Sequence, residues 1–155
     1  MIQRIQTVYL LLASLCLILT MFFGYASYSI GVDEVVLFNL FGVAESPEAM
    51  AVWFPYKIIV PLISALCIYS LTKYKKRHLQ LFIGKMMYLL ILLLLVFIFI
   101  DVLGIISELE DANNEVQVTY GAGLYLSVVS LPLVFLANRA IKKDEKYVKD
   151  SDRLR

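Results

Sequence analysis

Two charged side chains, Lys57 and Asp101, interrupt stretches of sequence that are otherwise apolar. Asp101 follows a run from Met86 to Ile100 that carries no charge. An ionisable residue inside a bilayer is costly, so it usually pairs with another polar group or serves a function. Both residues lie near the same end of neighbouring apolar stretches, so an intramembrane ion pair between them is predicted. Separate snorkelling to the membrane surface and a titrating role in a transport or proton path stay open as alternatives.

The remaining residue types form no catalytic or metal-binding pattern. Cys16 and Cys67 are far apart and make no CxxC pair, and the single histidine, His78, stands beside lysines and an arginine. A zinc site needs several such ligands, and neither a phosphate-binding loop nor a nucleophile motif occurs. We therefore expect no catalytic residue, no cofactor and no metal, and we favour a non-enzymatic function over an embedded enzyme.

The composition of the chain indicates that these charges lie in a membrane protein. Hydrophobic residues make up 61% of the 155 residues, whereas soluble domains are about half apolar. Four apolar stretches approach the roughly 20 residues that a membrane-spanning helix needs. They cover residues 7–26, 53–71, 86–106 and 120–137. An earlier start of the third stretch, near Leu79, is an alternative. Helices are expected because barrel strands alternate apolar with polar residues.

The basic residues are distributed unevenly along the chain. Apart from Lys57, they all lie before the first apolar stretch, between the second and third, or after the fourth. The other two links carry only acidic charges. Basic segments flanking membrane helices stay in the cytoplasm, so both termini and the middle link are predicted to be cytoplasmic. A signal peptide cleaved near Ala26 is the alternative interpretation of the first stretch.

The two links predicted on the outer side contain sequence typical of strands. The segment "EVVLFNLFGV" is rich in β-branched and aromatic residues, and "NNEVQVTYG" alternates valines with polar residues. A small β-hairpin or sheet built from these loops is one interpretation. An apolar loop lying on the membrane surface is the other.

The middle link and the C-terminal tail are the predicted contact surfaces on the cytoplasmic side. Anionic lipid headgroups are expected to contact the basic residues of the link, Lys73, Lys75, Lys76 and Arg77. Fixing the topology is the simpler alternative for these residues. Residues 138–155 are expected to continue the fourth helix into the cytoplasm, either as a solvated basic extension or as a docking element for a partner.

The two ends of the chain also carry a family resemblance. The segments "MIQRIQTVYLLLA", "YGAGLYL" and "LANRAIKKDEKYVKDSDRLR" resemble an uncharacterised family of small Bacteroidota membrane proteins, domain of unknown function 4293. The resemblance covers the whole chain and implies a four-helix inner-membrane protein of a Gram-negative bacterium. It implies no activity or cofactor. The shared residues, all expected at the cytoplasmic face, are Gln3, Arg4, Gln6, Asn138, Arg139, Asp144, Glu145, Asp152 and Arg153.

These observations together predict an all-α integral membrane protein, a single domain over residues 1–155 with four transmembrane helices. The first functional hypothesis is an accessory or scaffold subunit of the bacterial inner membrane that docks a protein partner through its cytoplasmic ends. Besides that partner it would contact membrane lipids, and no nucleic acid is expected. The alternative is a small transporter or proton-path subunit that uses Asp101 with Lys57 as its counter-ion.

Overall fold

The computed structural model describes residues 2–30, 34–44, 52, 54–73, 76–111 and 116–153. These residues form four helices and four strands. The helices are α1 (Ile2–Leu19), α2 (Tyr56–Thr72), α3 (Arg77–Asp111) and α4 (Ala122–Arg153). The strands are β1 (Ala26–Ile30), β2 (Glu34–Asn39), β3 (Gly42–Ala44) and β4 (Val116–Tyr120).

The helices form a closed ring around one apolar core. Helix α1 packs against α2 and α4, and α3 completes the ring by packing against the same two helices. On α2 the buried side chains recur at helical spacing, at Tyr56, Val60, Ile63 and Cys67, which is the stripe that a helix turns toward a core. Successive helices run in opposite directions, so all four strands lie at one end of the ring, called here the sheet end.

Two helices are long and apolar enough to cross a membrane, over Arg77–Glu110 and Ala122–Lys146 in the described part of the chain. Only 28% and 33% of their most apolar stretches are buried within the bundle. Large side chains such as Leu103 and Phe135 therefore stay exposed, at 64% and 52% of their area. A core helix of a soluble protein would bury most of these residues. Helices α1 and α2 are apolar but shorter.

The strands form one antiparallel sheet in the order β3-β2-β1-β4. Strand β1 is central, and Tyr28 lies opposite Val36 on one side and Val118 on the other. The sheet therefore joins the α1–α2 connection to the α3–α4 connection. This confirms the prediction of a small sheet built from both links, and for the described residues it replaces the alternative of a loop on the membrane surface.

The first apolar stretch ends earlier as a helix than the sequence predicted. Helix α1 stops at Leu19, where the Thr20 hydroxyl donates to the Leu17 carbonyl at 2.7 Å. The amide of Phe22 then bonds the Leu19 carbonyl at 3.0 Å, a tighter spacing that often closes a helix. Tyr25 donates its amide to Phe38 at 2.8 Å, so the last residues of the predicted span belong to the sheet end instead.

The start of α4 lies unusually close to the chain that leaves α1. Gly121 and Gly123 donate their amides to the carbonyls of Tyr25 and Gly24, at 2.9 and 3.0 Å. A Cβ atom on Gly121 would lie 2.2 Å from the Gly24 carbonyl oxygen. Only glycine permits this approach, because the obstacle is backbone rather than a movable side chain.

Helix α3 starts before its predicted span, and helix α4 continues past the end of its predicted span. Helix α3 begins at Arg77, which agrees with the alternative start near Leu79 rather than with residue 86, so residues 77–85 of the predicted link are helical. Helix α4 continues without a break to Arg153, which confirms that the C-terminal segment extends the fourth helix.

Candidate functional site

Asp101 is partnered inside the sheet end of the bundle. It lies on α3, and its side chain is half-buried. The Tyr56 hydroxyl, at the first turn of α2, donates a hydrogen bond to Asp101 Oδ2. Tyr56 is only 1% exposed. A phenol donor satisfies the carboxylate without bringing a second charge out of water, which would carry its own desolvation cost.

Lys57 does not take the role that the sequence predicted for it. Among the residues that the structure describes, Lys57 and Asp101 form no ion pair, and Lys57 is exposed. Successive helical residues point about 100° apart, so Lys57 faces outward where Tyr56 faces the core. The depth of Lys57 was the basis of the prediction, but the direction of its side chain decides which residue reaches Asp101.

Tyr56 was the residue that the sequence interpretation missed. It had no visible partner in the sequence, and an aromatic residue near a span end is usual at a membrane interface. One signal was present: Tyr56 stands in register with Val60, Ile63 and Cys67 on the buried stripe of α2. A hydroxyl on an apolar stripe needs a partner, and Asp101 on the neighbouring helix was the available acceptor.

Aromatic rings pack around Tyr56 at the sheet end. The ring centroids of Tyr25, Phe38 and Tyr56 lie between 5.5 and 5.7 Å from one another. Phe54 adds an edge contact to Tyr56 at 5.0 Å and stacks on Phe97 of α3 at 4.2 Å. Such tilted and edge contacts are the arrangements that aromatic quadrupoles favour. The cluster fixes the start of α2 and the hydroxyl it presents.

The phenols of Tyr25 and Tyr28, both at the sheet end, are neutral near physiological pH. Burial raises the pKa of Tyr25 to about 12, against a smaller opposing effect of the neighbouring Thr20 hydroxyl. Burial also raises the pKa of Tyr28, and the negative charges of ionised Tyr120 and of Asp101 add to that effect. Within the described part of the chain, the buried Tyr28 hydroxyl has no hydrogen-bond partner. Among the hydroxyl groups at this end of the bundle, that of Tyr56 donates the hydrogen bond to Asp101.

At the end opposite the sheet, three predicted docking residues hold the helices together. Gln6 is 6% exposed and donates to the Ala140 carbonyl at 3.1 Å, which ties α1 to α4. Asn138 lies against Gly84 of α3, where an added Cβ would be 1.7 Å from Asn138 Oδ1. These two contacts are structural rather than available to a partner.

Asp144 is the third of these residues. Its carboxylate lies 3.1 Å from Arg77 Nη2, and Arg77 Nη1 also donates to the Asp144 carbonyl at 2.7 Å. Both side chains are mostly buried, at 22% and 14% exposure. The predicted lipid contact Arg77 is therefore used to anchor the beginning of α3 on α4.

The other predicted residues lie at or near the same end. Arg139 and Lys76 are exposed, and Glu145 is half-buried. Lys73 lies 5.0 Å from the ring centre of Tyr69. The helical positions whose side chains fall outside the described residues are Gln3, Arg4, Asp152 and Arg153. Lys75 falls outside the described residues altogether.

In the described ranges, no group of three or more His, Cys, Asp or Glu side chains is arranged to hold a metal ion. Cys16 and Cys67 are both free.

The comparisons with known proteins bear on the family of the chain. No curated protein matches the chain. A family model does match it, over residues 2–154, which is nearly the full length and includes both ends that carried the sequence resemblance. The chain therefore belongs to the family described as Domain of unknown function (DUF4293).

Proposed function

We propose that all four helices cross the inner membrane of a bacterium, with the sheet on the outer side and both termini in the cytoplasm. The exposed apolar side chains on every helix support this, because water would not favour such a surface. Representative ones are Leu15, Leu62, Val96 and Val129, each between 47% and 51% exposed. Helices α1 and α2 have 18 and 17 residues, or about 26 Å, close to a hydrocarbon core of about 30 Å.

Labelling of single cysteines tests this topology. In a Cys16→Ser/Cys67→Ala background, Gln117→Cys places a thiol on exposed β4 and Lys76→Cys places one at the opposite end. A membrane-impermeant maleimide should label Gln117→Cys in cells with a permeabilised outer membrane and Lys76→Cys only after lysis. Labelling in the reverse order, or of both sites before lysis, contradicts the topology.

We further propose that the protein is a non-enzymatic accessory or scaffold subunit that docks a cytoplasmic partner on the end of α4. The observation that carries this is the length of α4. Helix α3 begins at Arg77, opposite Asp144, whereas α4 continues to Arg153. The stretch from 145 to 153 therefore projects about 14 Å past the bridge between the two helices.

The proposed docking surface contains fewer residues than the sequence suggested. Gln6, Asn138 and Asp144 lie in contacts between helices and are excluded from it. The predicted residues that remain are Gln3, Arg4, Arg139, Glu145, Asp152 and Arg153. Removal of the chain after Lys146 takes away the projecting turns while it keeps the Arg77–Asp144 bridge intact.

Purification in native-like lipid particles tests the docking role. The full chain, tagged in its outer link, should bring down a stoichiometric protein companion. The chain truncated after Lys146 should lose that companion, and a Gln117→Ala control at the sheet end should keep it. Purification without a companion, or its retention by the truncated chain, contradicts the scaffold role.

A proton-path subunit is the second candidate, favoured by the Tyr56–Asp101 hydrogen bond within the bundle. It predicts pH-driven proton flux in proteoliposomes that Asp101→Asn abolishes and Tyr56→Phe reduces. Lys57→Gln should leave the flux unchanged, because Lys57 faces away from the carboxylate. Flux equal to that of empty vesicles removes this candidate.

A further inference from the structure

A groove between the first turns of α3 and the later part of α4 combines basic side chains with an apolar floor. Its lining residues are His78, Leu81, Phe82, Lys85, Lys142 and Glu145. The groove has a volume of about 310 Å³, which is at the lower end of the range for small-ligand sites. It lies apart from Tyr56 and Asp101, at the end of the bundle opposite the sheet.

The shape of the groove follows from helical spacing and from two fixed contacts. Its four α3 residues stand at positions i, i+3, i+4 and i+7, so they share one face. Close to it, Arg77 is bridged to Asp144, and Gly84 lets Asn138 approach α3 closely. Because these contacts fix the spacing of the two helices, the groove is preformed in the bundle.

The charges of the groove favour an anion. Lys85 and Lys142 are both exposed, and His78 adds an imidazole N–H that can donate a hydrogen bond to a phosphate. Glu145 is the single acid of the lining. The basic residues outnumber it, so a phosphate group would be attracted. Basic pockets between membrane helices on the cytoplasmic side are suited to anionic lipid headgroups.

The apolar floor continues away from the groove along α3. Phe82 is 60% exposed, and Met86 and Leu89 follow on the same face at 44% and 55%. Spacings of four and three residues line them up as one stripe. A free anion or an acidic peptide would leave this stripe uncovered, whereas an acyl chain would lie along it.

We propose that the groove binds one anionic phospholipid, with its phosphate held by Lys85 and Lys142 and an acyl chain lying along Phe82, Met86 and Leu89. The proposal rests on the membrane placement of α3 and α4 given above. It assigns a defined lipid site to residues other than Lys73, Lys75, Lys76 and Arg77, the lipid contacts that the sequence predicted.

Native mass spectrometry of the full chain released from detergent tests this site. Phosphatidylglycerol and phosphatidylcholine with identical acyl chains are the probes, and phosphatidylglycerol should bind more tightly. Lys85→Gln/Lys142→Gln should weaken phosphatidylglycerol by about 30-fold, as expected for two basic residues near a lipid surface. Lys143→Gln/Lys146→Gln removes the same charge from exposed residues of α4 that do not line the groove, and it should change the affinity for phosphatidylglycerol less than about threefold.

The results that overturn the proposal are distinct from one another. Equal affinity for the two lipids, or unchanged binding in the groove variant, excludes a headgroup site, and the latter result would suit an acidic peptide instead. An equal loss in the control variant indicates a diffuse basic surface. Competition by inorganic phosphate as effective as that by phosphatidylglycerol indicates a free-anion site.

A second variant tests the apolar part, since Phe82→Ala should weaken both lipids by about threefold or more. Unchanged affinity for both would contradict the proposed path of the acyl chain. Cysteine labelling reports the membrane placement separately, so a normal labelling pattern with no lipid preference counts against the groove alone.

Discussion

Asp101 illustrates, at the scale of single residues, how a bundle accommodates a carboxylate among apolar helices. Its Oδ2 atom accepts a hydrogen bond from the Tyr56 hydroxyl, and two aromatic rings of the sheet end pack against Tyr56. A buried ammonium partner would add the desolvation cost of a second charge to that of the carboxylate. A phenol partner adds only a smaller desolvation cost, and its ring also fills apolar space.

Removal of the Tyr56 hydroxyl tests this account. Tyr56→Phe should lower the free energy of unfolding by about 1–3 kcal/mol, because the carboxylate loses a donor to a charged group. Lys57→Gln should change it by less than about 0.5 kcal/mol, as is usual at exposed positions. Unfolding in a mixed-micelle denaturant series would measure both, and a larger loss for Lys57→Gln would contradict the assigned partner.

The buried phenol of Tyr25 predicts a loss of stability at alkaline pH. Its pKa is about 12 in the fold against 10.0 in an exposed tyrosine, so the unfolded chain releases its proton first. The stabilisation is complete below pH 10 and is lost as the pH rises toward 12, by about 3 kcal/mol at most. Stability measured over this range should fall less in Tyr25→Phe, whereas Tyr125→Phe, at a site that is 58% exposed, should behave as the unmodified chain.

At the scale of elements, the α3–α4 contact depends on close approach at one glycine. Gly84 faces Asn138, whose buried Oδ1 has no hydrogen-bond partner in the described part of the chain. This contact and the Arg77–Asp144 bridge lie two turns apart on α3. Together they hold the two long helices in register at the end away from the sheet.

Gly84→Ala should therefore lower the free energy of unfolding by about 1–3 kcal/mol, the usual cost of overpacking. Gly104→Ala on the same helix is the matched control, since an added Cβ meets nothing within 4 Å there. It should be neutral or stabilising by up to about 1 kcal/mol through helix propensity. Thermal melting of Gly84→Ala/Asn138→Ala checks the cause, because removal of the amide should restore part of the loss.

The whole molecule is closed at one end by the sheet and at the other by polar ties between helices. The sheet joins the two connections through the central strand β1. At the other end, Gln6 reaches Ala140, and Ile141 is 1% exposed. The ring of helices is therefore fixed at both ends, and α4 takes part in the closure at each of them.

Two truncations should separate the folding part of α4 from its projecting part. A chain that ends after Lys146 keeps every tie named above and should melt within a few degrees of the full chain. A chain that ends after Arg139 loses the Gln6 acceptor, buried Ile141 and the Asp144 bridge. It should lose more than about 4 kcal/mol, and equal melting of the two truncations would show that these ties contribute little.

The sequence by itself determined the number of helices and the helical continuation of the C-terminal segment, whereas strands in two connections were only one of its two interpretations. Hydrophobic length and alternation are local properties, so a single chain reveals them. The family resemblance was also found from the sequence, at the two ends of the chain, and the family model matches residues 2–154.

Only the tertiary structure decided which side chains meet. Gln6, Asn138 and Asp144 looked like surface residues, yet each holds a neighbouring helix. The partner of Asp101 could not be chosen from charge and depth, since a turn of about 100° per residue separates Tyr56 from Lys57. The rotation of each helix is set by the packing of all four, which no single stretch of sequence specifies.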